Sequence, residues 1–168
     1  FGRFLFTNID RLLNFTATNQ MIFVSEKDLM EAVSSKMAPY RISVAIPNGI
    51  DLDTFLPGKQ RDEVRQLLNV DKNDVVIIYT GRLSYEKGID HLLRAIPLLP
   101  VSVSSQVKIW VVGTGPQEIV FKNLTKELEI DHRVQWLGYQ SNIADFLFAS
   151  DIFVLPSFNE AMSLSILE

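Results

Sequence analysis

Cysteine is absent from the 168 residues of this sequence. Its absence excludes a disulfide framework, a thiolate zinc site and a cysteine nucleophile. Histidine is scarce, with two residues, and no spacing of His, Asp and Glu indicates a metal site. Long apolar runs are also lacking, so no segment is predicted to span a bilayer, and none has the pattern of a secretory signal. These features are compatible with the cytoplasm, and a cytoplasmic location is our expectation.

Positive charge is not in excess either. The formal net charge is −4, and no basic stripe is found, which argues against a nucleic-acid-binding surface. Hydrophobic residues make up 47% and charged residues 21%, an ordinary globular composition for one domain or parts of two. The first residue is not Met and the last lies inside a predicted helix, so we expect a chain cut at both ends.

Strand and helix patterns alternate along the chain. Apolar segments at 21–24 and 42–46 predict short strands, and Ser25 predicts the N-cap of a helix between them. Further strands are predicted at 75–79, 107–112, 134–137 and 152–155. Helices are predicted between these at 89–99, 117–128 and 143–149, with Pro97 ending or kinking the first. The alternation predicts an α/β fold: a Rossmann-like parallel sheet with helices on both faces.

Apolar side chains at helical spacing predict which helix faces are buried. The predicted buried positions are Val64, Leu67 and Leu68 in a helix over 61–68, and Val120, Leu124 and Leu128 in the helix over 117–128. The N-terminal segment carries Phe1, Phe4, Leu5, Ile9, Leu12 and Leu13 at the same kind of spacing. Packing in a core or between domains is expected there, because two arginines are too few cations for a strong membrane anchor.

Parallel sheets bind ligands outside the carboxyl ends of their strands. The four loops that leave these ends, at 80–88, 113–116, 138–142 and 156–163, all carry Gly or small polar residues, as a close approach of backbone to ligand requires. The usual doubly wound strand order 3-2-1-4 would make the first and fourth of these strands neighbours. A crevice is then predicted between the loop of Arg82 and Lys87 and the loop of Glu160.

Arg82 and Lys87 share one loop, flanked by Gly81 and Gly88. Arg offers a planar fork for phosphate oxygens and Lys a mobile point charge, so the pair suits a diphosphate. The alternative is a pair of solvated surface cations, with Lys87 paired to Glu86.

The last predicted strand is followed by a polar turn and an apolar helix that opens at Ser163. Free N–H groups at such a helix start suit an anion. Glu160 in the turn and Glu168 in the helix are about 12 Å apart if the steps between them are helical. One acid could then reach each end of a nucleotide sugar; the alternative is a surface acid and an ordinary helical Glu.

Three other features are weaker indicators of function: one glycine-rich turn and two histidines. Gly113-Thr114-Gly115-Pro116 resembles a dinucleotide fingerprint, but Glu118 stands where the third Gly would be, which favours a tight turn lining the cleft. His91 and His132 are expected to be structural or exposed rather than catalytic.

Several motifs occur together in chain order: Pro47-Asn48-Gly49-Ile50-Asp51 with Phe55, Gly81-Arg82-Leu83 with Glu86-Lys87-Gly88, Gly113-Thr114-Gly115-Pro116, and Glu160 with Glu168 in an E-x7-E arrangement. Over roughly residues 21–168 this pattern resembles the retaining family-four (group 1) glycosyltransferases of GT-B architecture. An ordered set of motifs is far more specific than any one of them.

The resemblance implies roles for the matching positions. Arg82 and Lys87 would bind the donor diphosphate, Glu160 the donor sugar and Glu168 the ribose hydroxyls. Glu160, Arg82 and Lys87 would be the catalytic residues. Backbone N–H groups of Met162, Ser163 and Leu164 would complete a phosphate cradle, and 138–142 would lie near the base. The remaining binding positions are Gly81, Gly113, Gly115 and Gly138. The family often has Gly-Phe-Gly after the first Glu, where this chain has Ala161-Met162-Ser163.

The resemblance also implies an organisation and an activity. Residues 1–47 would be the tail of an acceptor-side domain with its linker, and residues 48–168 most of a nucleotide-sugar-binding domain, inactive alone. The protein would transfer a hexose from a nucleoside diphosphate sugar to a glycan, lipid or small-molecule acceptor with retention, without a cofactor or essential metal, and with room for peripheral membrane contact. Alternatives are a nucleotide-sugar epimerase or phosphorylase-like enzyme of the same fold, a non-catalytic nucleotide-sugar-binding module, and a plain Rossmann-like cofactor domain.

Overall fold

The computed structural model describes residues 2–53 and 55–168, with side chains from Thr7 onward. The described chain has eight α-helices and six strands, which alternate except that α4 and α5 are consecutive. The helices are α1 Gly2–Thr16, α2 Glu26–Ser34, α3 Arg61–Leu67, α4 Ile89–Ala95, α5 Val101–Ser104, α6 Glu118–Glu127, α7 Ile143–Ala149 and α8 Leu164–Leu167. The strands are β1 Met21–Phe23, β2 Ser43–Ala45, β3 Val75–Thr80, β4 Val107–Val112, β5 Val134–Gly138 and β6 Ile152–Phe153. None of the described helices has the length and apolar content to cross a bilayer.

The chain folds into two compact units. One contains the residues up to Gly49 together with Glu160–Leu167, and the other contains Ile50–Asn159 and Glu168. The expected division into a tail at 1–47 and a nucleotide-binding domain at 48–168 stays a prediction.

The first unit has a two-stranded parallel sheet in which β1 pairs with β2 from Met21↔Ser43 to Phe23↔Ala45. The predicted N-cap of α2 is confirmed, because the hydroxyl oxygen of Ser25 accepts a hydrogen bond from the backbone N–H of Asp28 at 3.1 Å. This bond satisfies one of the N–H groups that a helix start leaves free.

The packing expected for the N-terminal segment is not seen where side chains are described. Ile9, Leu12 and Leu13 of α1 are 44–62% exposed. The last turn of α1 is attached to its unit by the side-chain amide of Asn14, which donates to the carbonyl of Met37. These three side chains of the stripe are therefore exposed in this unit; Phe1 and the side chains of Phe4 and Leu5 lie outside the described residues.

The second unit has a four-stranded parallel sheet in the order β5-β4-β3-β6. This order confirms the predicted doubly wound arrangement, with the first and last of the four strands adjacent. β3 pairs with β4 along its whole length, from Val75↔Val107 to Thr80↔Val112, and with β6 at Ile77↔Ile152 and Ile78↔Phe153. The carboxyl ends of β3 and β6 therefore lie side by side.

Alternate residues of the central strands enter two separate cores. Tyr79, Ile109 and Val111 pack on one face against side chains of α4 and α6, whereas Ile78 and Trp110 pack on the other face with residues of α3 and α7. Strand side chains alternate between faces, so both faces of the sheet are covered. The fold class predicted from the sequence is confirmed.

Three predicted details of this unit are corrected. Leu67 is 65% exposed and Arg65 is buried in its place; Val120 is 47% exposed, while Phe121 and Leu124 are buried. In both helices the core face is turned by about one residue, because Arg65 and Phe121 fill it instead.

The last strand is two residues long rather than four, and Ile152, in this edge strand, is 47% exposed. Pro97 does end a helix, since α4 stops at Ala95 and a 3₁₀ turn follows.

An ionic network that sequence reasoning missed ties α3 to the start of the sheet. One carboxylate oxygen of Asp151 accepts from the N–H of Val76 at 2.7 Å and from the buried guanidinium of Arg65 at 3.1 Å. Arg61 pairs with the other oxygen. Arg65 also donates to the carbonyls of Asp74, at 2.6 Å, and Ala149. Burial would raise the pKa of Asp151, but the Val76 N–H and the two guanidinium groups outweigh it and hold the pKa below its ordinary value.

We expect Asp151→Asn to lower the free energy of unfolding by about 1.5–3 kcal/mol, because hydrogen bonds to charged groups are lost and Arg65 stays buried without its carboxylate. Urea denaturation at neutral pH measures this difference. Asp131→Asn, an exposed acid in a 3₁₀ turn, is the matched control and should change stability by less than about 0.5 kcal/mol.

The same pair of variants gives a pH test. A carboxylate whose folded pKa is lowered stabilises the fold above its ordinary pKa, here 3.8, and the stabilisation is lost as the pH falls through the folded value. The difference in free energy of unfolding between wild type and Asp151→Asn should therefore be at its maximum above about pH 4 and disappear at lower pH. A gap that persists unchanged at low pH would contradict the assignment.

Candidate functional site

The loop after β3 carries Arg82, and its backbone is held by hydrogen bonds from the core and to the neighbouring loop. Tyr79 is fully buried and its hydroxyl donates to the carbonyl of Arg82 at 2.9 Å. The next residue, Leu83, is also fully buried, and its N–H donates to the carbonyl of Thr114 at 3.0 Å. The side chain of Arg82 itself is exposed. A cation is thus presented to solvent at the carboxyl end of a central strand, as predicted.

The glycines of the β4 loop allow two loops to pack backbone against backbone. A Cβ at Gly113, where φ is +125°, would overlap the carbonyl oxygen of Gly81 and lie 2.9 Å from its carbon. A Cβ at Gly115 would lie 2.5 Å from the nitrogen of Leu83. These distances leave room only for glycine, so the tight turn explains both positions without a dinucleotide fingerprint. Contact of Gly81, Gly113 or Gly115 with a donor stays a prediction.

Lys87 lies in a 3₁₀ turn, Tyr85–Lys87, at the far end of the same loop. The hydroxyl of Ser84 donates to Glu86 Oε1 at 2.5 Å. This bond and a backbone N–H lower the pKa of Glu86, and the charges of Arg82 and Lys87 act in the same direction. The carboxylate is therefore a fixed negative charge within a cationic loop, and Lys87 is partly buried beside it.

The loops after β3 and β6 are in contact, as their strand order requires. A Cβ at Gly88, where φ is +65°, would overlap the carbonyl oxygen of Pro156. The N–H of Phe158 donates to the carbonyl of Glu86 at 3.1 Å. The ring of Phe158 packs edge-on against His91, with 5.0 Å between ring centres. His91 thus has a packing contact that sequence analysis did not find; His132 lies in the 3₁₀ turn before β5.

The loop after β5 joins the same edge of the sheet. Gly138 is in the left-handed region at φ +64°, and its carbonyl accepts from the N–H of Gly113 at 2.7 Å. Among the described residues, and apart from its two chain neighbours, no atom lies within 4 Å of a Cβ built at Gly138. Tyr139, the next residue, is 79% exposed. The predicted loops at 80–88, 113–116 and 138–142 therefore meet within one unit.

The remaining predicted positions are not part of these three loops. Glu160, Met162, Ser163 and Leu164 belong to the other compact unit, in which the side-chain amide of Asn48 donates to the carbonyl of Met162 at 3.1 Å. The helix expected after Ser163 is one turn, Leu164–Leu167, so its macrodipole is small and only its free N–H groups remain for an anion. Glu160 is partly buried and Glu168 exposed. The convergence of these positions with Arg82 stays a prediction.

Residues 2–53 and 55–168 include no group of three His, Asp or Glu side chains placed as metal ligands would be. The expected independence from metal stays a prediction.

A family model described as glycosyl transferases group 1 matches residues 60–168. The chain belongs to this family, which confirms the resemblance drawn from the ordered motifs.

Similar curated proteins include the phosphatidylinositol N-acetylglucosaminyltransferase GPI3 subunit of Saccharomyces cerevisiae, 34% identical over 95% of this chain and 36% of its own length. The UDP-Gal:alpha-D-GlcNAc-diphosphoundecaprenol alpha-1,3-galactosyltransferase of Escherichia coli is 35% identical over 77% of this chain and 34% of its own length. The D-inositol 3-phosphate glycosyltransferase of Mycolicibacterium vanbaalenii is 36% identical over 90% and 36%. The chain spans about a third of the length of these relatives.

Solved structures show the same fold. Anabaena Alr3699/HepE in complex with UDP-glucose matches with a TM-score of 0.80 and 24% identity, over 96% of this chain and 44% of that one. WaaG, a glycosyltransferase involved in lipopolysaccharide biosynthesis, matches with a TM-score of 0.74 and 20% identity, over 84% and 39%. These matches confirm the GT-B architecture.

We expect Gly113→Ala to destabilise the protein by about 3 kcal/mol or more, because strain at positive φ adds to a backbone overlap that cannot relax cheaply. Gly138→Ala is the control: its φ is also positive, at +64° in the left-handed region, but the space at its Cβ is open, and the change should cost about 1–2 kcal/mol. Thermal melts of the two variants compare them. Equal losses at both positions would contradict the packing of the β3 and β4 loops described here.

Proposed function

We propose that the protein containing this chain is a retaining glycosyltransferase that uses a nucleoside diphosphate sugar as donor. The family assignment supports transfer, and the similar curated proteins bear the names of sugar transferases. Those names favour transfer over the epimerase alternative. Because the chain spans only part of these relatives, the activity is proposed for the whole protein.

The observation that carries this proposal is the placement of Arg82. Its side chain is exposed at the carboxyl end of central strand β3, next to the end of β6, at the point where strand order reverses. Ligands of doubly wound sheets bind at this point. Arg82 binds the donor diphosphate through its planar fork, and Lys87, on the same loop, adds a second positive charge.

Arg82 and Lys87 also act in the reaction. Negative charge grows on the leaving diphosphate as the bond to the sugar breaks, and fixed cations aimed at that charge lower the barrier. Two protein cations offset much of a diphosphate's charge, so the reaction proceeds without an essential metal or other cofactor. Retention of configuration follows from the resemblance to the family and is part of the proposal.

The other roles are proposed residue by residue from the same resemblance. Glu160 contacts the donor sugar and Glu168 the ribose. The N–H groups from Met162 to Leu164 bind phosphate; in a trans peptide the C=O and N–H point in opposite directions, so the bond from Asn48 to the carbonyl of Met162 directs the N–H of Ser163 away from Asn48. The loop at 138–142 lies near the base, and the glycines at 81, 113, 115 and 138 allow the backbone to approach the donor.

The acceptor class is proposed from the names of the relatives, which refer to phosphatidylinositol, a diphosphoundecaprenol-linked sugar and D-inositol 3-phosphate. We infer an acceptor that is a glycan, a lipid or a small phosphorylated alcohol. A lipid acceptor would bring the whole protein to a membrane surface.

Product analysis of the full-length protein tests the proposal. Incubation with UDP, GDP or ADP sugars and candidate acceptors, followed by NMR of the anomeric proton, should give a glycosylated product with the donor's configuration. An inverted product would overturn retention, and an epimerised donor would support the epimerase alternative. Donor binding without any product from any acceptor would support a non-catalytic module.

We predict that Arg82→Ala weakens nucleoside diphosphate binding roughly 10- to 100-fold, since a charge-assisted hydrogen bond of about 1.5–3 kcal/mol is lost. Binding of the corresponding nucleoside should hardly change. Calorimetric titration of the full-length protein measures both.

The matched control for this prediction is Arg133→Ala. It removes a cation at the amino end of β5, whereas Arg82 follows the carboxyl end of β3. It should leave both affinities unchanged. If Arg82→Ala weakens nucleoside and diphosphate binding equally, Arg82 lies outside the phosphate site.

A further inference from the structure

The hydroxyl of Tyr79 is a polar group in an apolar core. Tyr79 is fully buried on the core face shared with Leu83, Ile89 and Phe121. Phe would fill nearly the same volume there, and burying a hydroxyl is costly unless it is hydrogen-bonded. The structure shows what the hydroxyl does, because it donates to the carbonyl of Arg82 at 2.9 Å.

Two features of the loop accompany this hydrogen bond: a glycine beside the phenol and a second donor to the same carbonyl. Gly81, between the two residues, has φ +149°, and a Cβ there would lie 3.0 Å from the Tyr79 hydroxyl. A larger residue would therefore press on the phenol. The carbonyl of Arg82 also accepts from the N–H of Ser84 at 3.0 Å. Its peptide is thus held by one donor from the core and one from the loop.

Neighbouring residues of the loop are fixed by other strands. The N–H of Gly81 donates to the carbonyl of Val112 in β4, and that of Leu83 to the carbonyl of Thr114. Between these two anchors, the Tyr79 bond fixes the backbone of Arg82 itself. Because the Arg82 side chain is exposed, the position of its Cα determines which positions the guanidinium can occupy. A shift of a fraction of an ångström is enough to misalign a fork with phosphate oxygens.

We propose that Tyr79 is a positioning residue for the donor diphosphate. It has no contact with the donor and acts by holding the Arg82 backbone in the conformation from which the guanidinium binds phosphate. This inference rests on the proposed function of Arg82.

The test uses the full-length protein and four forms: wild type, Tyr79→Phe, Arg82→Ala and the double variant. UDP, GDP and ADP, each paired with its own nucleoside, are titrated by calorimetry. Tyr79→Phe should weaken binding of the preferred diphosphate about three- to tenfold, the range of one net hydrogen bond, and leave the nucleoside unchanged. In the Arg82→Ala background, Tyr79→Phe should add no further loss.

Two further readouts separate positioning from a general loss of stability. Tyr85→Phe removes the hydroxyl of a phenol that is 53% exposed in the same loop and should leave diphosphate binding unchanged. Hydrogen exchange of the Ser84 amide, which shares the Arg82 carbonyl with Tyr79, should speed up in Tyr79→Phe while core amides of β4 stay protected.

The outcomes are distinguishable. If Arg82→Ala weakens diphosphate binding and Tyr79→Phe does not, or if Tyr79→Phe has its full effect in the double variant, the positioning role is wrong and the function of Arg82 stands. If Tyr79→Phe weakens nucleoside and diphosphate binding alike, the role is also wrong. If Arg82→Ala has no effect, both the diphosphate assignment and the inference fail.

Discussion

Close packing of backbone against backbone at the carboxyl end of β3 is the constraint on which the candidate site depends. Gly113 and Gly115 lie against the loop of Gly81 and Leu83, and Gly88 lies against Pro156. Side chains at these positions would push the loops apart. With the loops in contact, hydrogen bonds between their main chains fix the backbone that carries Arg82 and Lys87, and the side chain of Arg82 is exposed to solvent.

Two groups of charged residues lie at opposite ends of β3 in the second unit. Near the start of β3, Arg61 and Arg65 form ion pairs with Asp151 and hydrogen bonds to main-chain carbonyls, so they stabilise the fold. Near its end, Arg82 is exposed, and Glu86, held ionised by the hydroxyl of Ser84, lies in the same cationic loop. Arginine is therefore structural at position 65, where it is buried and bonded to carbonyls and an acid, whereas at position 82 its side chain is exposed and can reach a ligand.

Periodicity and turn signals predicted the parallel sheet, the N-cap at Ser25 and the helix end at Pro97, because these depend on local pattern. The strand order was taken from the usual topology of doubly wound sheets. In α3 the burial of Val64 was predicted correctly and that of Leu67 was wrong. The burial of Arg65 could not be read from the sequence, because Arg gives no apolar signal and its partners Asp74, Ala149 and Asp151 lie 9 to 86 residues away. The β6 loop's contact with His91 and the bond from Tyr79 to Arg82 were also missed, since both depend on three-dimensional packing. For Glu160 and Glu168, spacing left both a nucleotide-sugar site and an ordinary structural explanation open, and their particular roles came from the resemblance and stay predictions.

The central claim is that the loop of Arg82 and Lys87 binds the diphosphate of a sugar nucleotide. A crystal structure of the full-length protein with its preferred nucleoside diphosphate sugar tests this most directly. The account predicts diphosphate oxygens within about 3 Å of the Arg82 guanidinium and the Lys87 ammonium, above the carboxyl ends of β3 and β6. A diphosphate bound elsewhere, with Arg82 turned to solvent, would contradict it.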